Sequence, residues 1–287
     1  MRALGDDAVG LDLPEWDALV PEDPEHTNFG YRMGLGGRPD TVWHLAALNG
    51  STQGFYDRPW DVLNVQVRGT LNVIDACVAN GVKTLVLFSS SEVFQTPPVI
   101  PTPESVPFSI PDMTNPRFSY AAGKQCAEML AWYSPIPRVI VLRPFNVYGP
   151  GQGPGHVIPD LIYRIASCGT GTILDVAGVP SSTRAYCYVD DFISGARRAV
   201  AAQHPEHARE VYNVGVETET PLSELVDWLM VLSRRSDSTA RYVAAPSGSV
   251  ARRCPDVSKL RAIGWSPSVA LDQGLVRTVA AYREANG

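Results

Sequence analysis

The chain has 287 residues, 45% of them hydrophobic and 19% charged, which is enough to bury a large core in one big domain or two smaller ones. A net charge of −6 argues against a general nucleic-acid binder. No apolar stretch approaches a membrane span, no basic amphipathic helix suggests a membrane surface, and MRALGDDAVGLDL has no signal-peptide hydrophobic region.

In chain order, residues 8–12 read as a short buried strand ending in the acid Asp12, and residues 14–39 as loop with one short helix at most. Residues 41–47, TVWHLAA, read as a strand running into small residues. Apolar positions Val62, Val65, Leu71, Ile74 and Ala76 predict a helix over 61–80 that Asn80-Gly81 closes. TLVLF at 84–88 and RVIVL at 138–142 are unbroken apolar runs, as strands of a parallel sheet covered on both faces require. Between them lie a proline-rich loop over 95–117 and a helix from about 118 to 133. Further helices are predicted over 157–166, from Asp190, over 222–232, over 256–263 and over 271–284, with strands near Ile173, over 185–189 and over 211–214. Strands that alternate with helices predict βαβ units and a mostly parallel sheet.

Cys77, Cys126, Cys168, Cys187 and Cys254 are scattered and form no CxxC pair, so neither a disulfide framework nor a zinc site is expected. A reducing cytoplasm is the default compartment. The histidines form no ligand pair, and no metal is expected.

The chemistry centres on FSYAAGKQCAE at 118–128. Tyr120 and Lys124 stand four apart in a run with good helix propensity, so they project from one face. A nearby ammonium favours the phenolate of a tyrosine, which makes the pair a proton-transfer device. The lysines are only Lys83, Lys124 and Lys259, so this spacing carries weight. In a parallel sheet, ligands bind beyond the carboxyl ends of the strands. Ala46-Ala47, Ser90-Ser91-Glu92 and Asn146 all fall at such ends, and Tyr120 follows the serine strand.

These pieces, with NVQVRGTLNVIDA at 64–76, LRPFNVYGPGQ at 142–152, RAYCYVDD at 184–191, YNVG at 212–215 and DVSKLRAIGW at 256–265, resemble the extended short-chain dehydrogenase/reductase family of NAD-dependent nucleotide-sugar epimerases and dehydratases. The resemblance covers nearly the whole chain. It implies a Rossmann-like doubly wound α/β sheet with a smaller C-terminal substrate lobe. Residues 1–148 and 185–218 would form the NAD-binding domain, and residues 149–184 and 219–287 the nucleotide-sugar lobe.

The resemblance also implies roles. Tyr120 would be the general base on a sugar hydroxyl, typically at C4, and Lys124 would hold the nicotinamide ribose and lower the tyrosine pKa. Ser90 would hydrogen-bond the same hydroxyl. Leu45, Ala46, Ala47 and Ser89 would line the NAD, and Asp12 would bind its adenosine ribose. Ser91 and Asn146 would contact the substrate. Arg184 and one of Arg252 or Arg253 would clamp the diphosphate, where a planar guanidinium suits bidentate contact.

Glu92 leaves the subclass open. The family's dehydratases and decarboxylases carry an acid there that acts on C5 or orients the sugar, and some plain 4-epimerases carry it too. Epimerase is the first reading, dehydratase or UDP-glucuronate decarboxylase the second, and an impaired nucleotide-sugar-binding remnant the third. The family's glycine-rich strand–loop is not found ahead of Asp12, so the first strand of the sheet is expected to be missing and NAD binding weak. A downstream start, a shortened form and a partner-supplied strand are the competing explanations. A homodimer built on a four-helix bundle from the helices near 58–80 and 118–133 is implied as well, with Cys77, Cys126 and Trp132 on an apolar face or in ordinary core.

Overall fold

The computed structural model describes residues 39–48, 52–153 and 155–286. The strand expected at 8–12, with Asp12, lies outside them.

In chain order the elements are β1 (Thr41–His44), α1 (Thr52–Asp57), α2 (Pro59–Ala79), β2 (Thr84–Phe88), a 3₁₀ turn (Ser91–Phe94), α3 (Phe118–Trp132), β3 (Arg138–Pro144), β4 (Val147–Tyr148), α4 (Val157–Ser167) and β5 (Ile173–Ala177). They continue with β6 (Thr183–Arg184), β7 (Cys187–Tyr188), α5 (Val189–Ala201), β8 (Arg209–Val214), β9 (Thr220–Pro221), α6 (Leu222–Leu232), β10 (Thr239–Val243), β11 (Arg252–Arg253), α7 (Ser258–Ala262) and α8 (Leu271–Asn286).

The main sheet runs β1-β2-β3-β8, all parallel. Its central strands are apolar on both sides because both faces are covered. On one face, Val73, Ile74 and Cys77 of α2 and Ala127 and Ala131 of α3 pack on Leu85, Leu87, Val139 and Val141. On the other, Phe192, Ala196 and Ala199 of α5, with Leu260 and Trp265, pack on Val86, Ile140 and Leu142. Each such side chain stabilises the fold by about 1.5–3 kcal/mol when fully buried. A separate core gathers Ile158, Leu161 and Ile165 of α4, Leu225 and Leu229 of α6, and Leu275 of α8. It lies with the parallel pair β5–β10, and a small sheet of order β11-β6-β9 joins Arg252–Arg253 to Thr183–Arg184.

Two helices press close because of one glycine. A Cβ on Gly123 would stand 2.6 Å from Cβ of Gln66, so only glycine lets α3 approach α2 this near. That contact fixes the helix that carries Tyr120 and Lys124.

The sequence reading differs from the structure in a few places. β1 stops at His44, where its ladder with β2 ends at Leu87, and residues 45–47 leave the sheet. The strand expected at 185–189 is two short strands, β6 and β7, with Ala185-Tyr186 between them. β10 and α1 were not expected from the sequence.

Candidate active site

Three strand ends and one helix converge at the carboxyl edge of the main sheet. β2 delivers Ser89, Ser90 and the turn that holds Ser91 and Glu92. The Ser90 hydroxyl caps this turn by accepting from the Glu92 N–H at 3.2 Å. From α3, Tyr120 and Lys124 reach the same place, both buried.

The Ser90 side chain lies close enough to the Tyr120 phenol to pull its pKa down. Phe55 of α1 stacks on the Tyr120 ring at 5.1 Å between centroids. Lys124 Nζ lies 5.8 Å from the ring centroid and donates to the Phe88 carbonyl at 2.7 Å. Burial lowers its pKa to about 8, against a smaller upward pull from Glu128. The phenol departs from the sequence expectation. Burial raises its pKa and the Glu92 carboxylate adds to this, while the Ser90 side chain pulls the other way. Desolvating the phenolate is the largest of these effects.

Glu92 answers to several arginines. Burial pushes its carboxyl up, but Arg253, then Arg117, the Gln95 hydrogen bond and Arg184 together hold it below the usual carboxylate range. Arg253 Nη1 stands 3.3 Å from Glu92 Oε1 and donates to Ser91 Oγ at 3.2 Å. Of the two adjacent arginines, only Arg253 faces this site. Arg252 is exposed and pairs with Glu219. Arg184 sits opposite Arg253 in the β6–β11 register and donates to the carbonyls of Thr183 and Val250 at 2.7 Å each. Asn146 takes a left-handed backbone with φ of 41°, which asparagine tolerates, and its Nδ2 donates to the Ala185 carbonyl at 3.4 Å.

Ser89 is committed elsewhere. Its hydroxyl donates to Glu128, which also takes a two-pronged ion pair from Arg143. The sequence reading assigned roles to neither Glu128 nor Arg117. Both signals were available: positions 117, 120, 124 and 128 recur at helical spacing on one face. His44 is a further buried titratable group near Lys124. Burial, and then the Lys124 charge, bring its pKa down to about 3, and its Nε2 lies 3.0 Å from Thr70 Oγ1.

The edge beside Lys124 suits a dinucleotide. Leu45 and Ala46 are exposed at the end of β1 despite their apolar side chains, and Ala47 is half-buried. The Lys124 ammonium keeps donors beyond its bond to Phe88, as a ribose diol would require. Asp12 lies outside the described residues.

A sequence model described as the NAD dependent epimerase/dehydratase family matches residues 34–215. UDP-glucose 4-epimerase of Mycolicibacterium smegmatis is 32% identical over 261 residues, which cover 86% of this chain and 77% of that protein. The crystal structure of UDP-glucose 4-epimerase from Thermotoga maritima with UDP-glucose superposes with a TM-score of 0.75 at 26% identity, covering 87% of this chain and 79% of the other. A dTDP-glucose 4,6-dehydratase from Streptomyces venezuelae, solved with NAD bound, gives 0.75 at 27% identity, covering 86% and 74%.

Proposed function

This chain belongs to the NAD-dependent epimerase/dehydratase family, and on that premise we propose that it is a nucleotide-sugar 4-epimerase. The observation that carries this reading is the meeting of the Tyr120 phenol, the Ser90 hydroxyl and the Lys124 ammonium at the carboxyl edge of a parallel sheet. A sugar hydroxyl seated between Tyr120 and Ser90 gives its proton to the tyrosine oxygen. Ser90 donates to that oxygen while it is charged, and Lys124 adds a positive charge within the same buried space. NAD, when bound, accepts hydride from the sugar carbon and returns it. Leu45, Ala46 and Ala47 would flank that cofactor and Lys124 would hold its ribose. The phenol stays protonated in its present surroundings, so the base forms only when further positive charge joins Lys124 at the site.

Arg184 and Arg253 would take the diphosphate, with Asn146 and Ser91 along the path to the sugar. A second reading, a dehydratase or decarboxylase, draws on one observation. Glu92 is ionised and close enough to Tyr120 for its charge to act on the phenol. Incubation with UDP-glucose, UDP-glucuronate and dTDP-glucose, followed by product analysis, separates the readings. UDP-galactose from UDP-glucose supports epimerisation, whereas a 4-keto-6-deoxy sugar or a pentose supports the second reading.

We further propose a homodimer through α2 and α3. Leu71 and Val78 are exposed on one face of α2, and Met129 and Tyr133 are exposed one turn apart at the end of α3. Cys126 is exposed on the same helix pair, while Cys77 belongs to the core.

A further inference from the structure

Arg253 is only 4% exposed, yet its Nη2 has no hydrogen-bond partner among the described residues. Its contact with Glu92 is an ion pair at 3.3 Å, with the carboxylate off the donor geometry that a committed pair adopts. Buried guanidinium donors are nearly always satisfied, so a bare one points to a ligand. A second bare donor belongs to Arg117, whose Cδ would stand 3.0 Å from a Cβ on Gly248, two residues before the Val250 carbonyl that takes Arg184. The Nε of Arg117, the residue at the N-cap of α3 one turn before Tyr120, is buried without a partner among the described residues. The charge of Arg117 acts on Glu92, Arg184 and Arg253 alike. Three guanidinium charges acting on one carboxylate leave a surplus of two, which matches the about two negative charges of an esterified diphosphate.

We propose that Arg117 completes a three-arginine clamp with Arg184 and Arg253 for the diphosphate of a nucleotide sugar, and that Glu92 is its built-in counter-anion, displaced from Arg253 as the diphosphate binds. This rests on the nucleotide-sugar reading above and adds a competitor to it. Glu92 holds the clamp's charges in place while the site is free, and it subtracts from the affinity of any anion that must take its position. Once released from Arg253, the carboxylate faces the bound sugar beside Tyr120.

Calorimetric titration of UDP, dTDP and GDP, each with excess NAD present, tests the competition in the full chain. The tightest of the three is then carried to Glu92→Gln, Glu92→Asp and Arg117→Gln. Glu92→Gln is expected to bind about threefold to tenfold more tightly than wild type, because the competing charge is gone, and Arg117→Gln about tenfold more weakly. Glu92→Asp withdraws the carboxylate from Arg253 and is expected to fall between wild type and Glu92→Gln; it decides the matter if the glutamine variant does not melt cooperatively. An unchanged or weaker affinity in the Glu92 variants, or an unchanged one in Arg117→Gln, overturns the proposal while leaving the nucleotide-sugar reading in place. Failure of the wild type to bind any of the three nucleotides overturns that reading as well.

Discussion

Two arginine–glutamate pairs stand near the ends of β2 and β3, Arg143 with Glu128 and Arg253 with Glu92, and they differ in how completely they are satisfied. Arg143 meets Glu128 with two parallel bonds of 2.9 and 2.7 Å and sends its third nitrogen to the Glu104 carbonyl at 2.9 Å. Phe94 and Phe108 cover its guanidinium at 4.8 and 5.4 Å. Both side chains of that pair are 5% exposed. In the other pair Arg253 is equally buried but Glu92 is 27% exposed, the contact is single, and one nitrogen is bare. The first arrangement holds β2, β3 and α3 in register behind the site. The second leaves hydrogen-bonding capacity open at its mouth, which is what a ligand needs.

Mutation should affect the committed pair most. Arg143→Met should lower unfolding stability by about 3–5 kcal/mol, because it strands a buried carboxylate, and the double change Arg143→Met with Glu128→Leu should restore most of that. Denaturant titration reads both. A loss below about 1 kcal/mol in the single variant would mean that the pair is not structural. His44, buried where the Lys124 charge acts on it, sets the next effect. Its folded pKa of about 3 lies below the unfolded value, so its contribution is whole above pH 6.5 and is lost as the pH falls from there toward 3. Between pH 7 and pH 5 the wild type should lose about 2 kcal/mol that His44→Leu does not lose. Equal pH dependence in the two proteins would contradict it.

Smaller effects sharpen the contrast. Glu92→Gln should cost only about 1–2 kcal/mol of stability, since Arg253 already tolerates an unpaired nitrogen, and a cost equal to that of Arg143→Met would erase the distinction. Arg252→Ala should change stability by less than about 1 kcal/mol and leave nucleotide affinity unaltered, as expected of an exposed pair with Glu219.

Much of this architecture can be read from the residues. TLVLF and RVIVL could only be strands covered on both faces, and the helices at 59–79, 118–132 and 222–232 announce themselves by apolar spacing. β10 is hidden because TARYV is only five residues long and none of them is fully buried, so its alternation separates exposed from half-buried positions and leaves no apolar run to find. Arg252 and Arg253 are identical neighbours. Strand alternation sends them to opposite sides, but nothing local says which side meets Glu92. Arg117 and Glu128 were legible as partners of Tyr120 and Lys124 on one helix face, yet spacing cannot tell that one guanidinium is left bare while the carboxylate is fully used. The raised phenol of Tyr120 was also beyond the sequence, because burial is a property of the whole fold.

Removing the Tyr120 phenol oxygen probes the proton acceptor alone. Turnover of the sugar nucleotide that the wild type converts should fall by about 10²–10⁴ in Tyr120→Phe, with UDP affinity kept within about twofold. Turnover within tenfold of wild type, in a variant that melts as the wild type does, would contradict the assignment of Tyr120 as the proton acceptor.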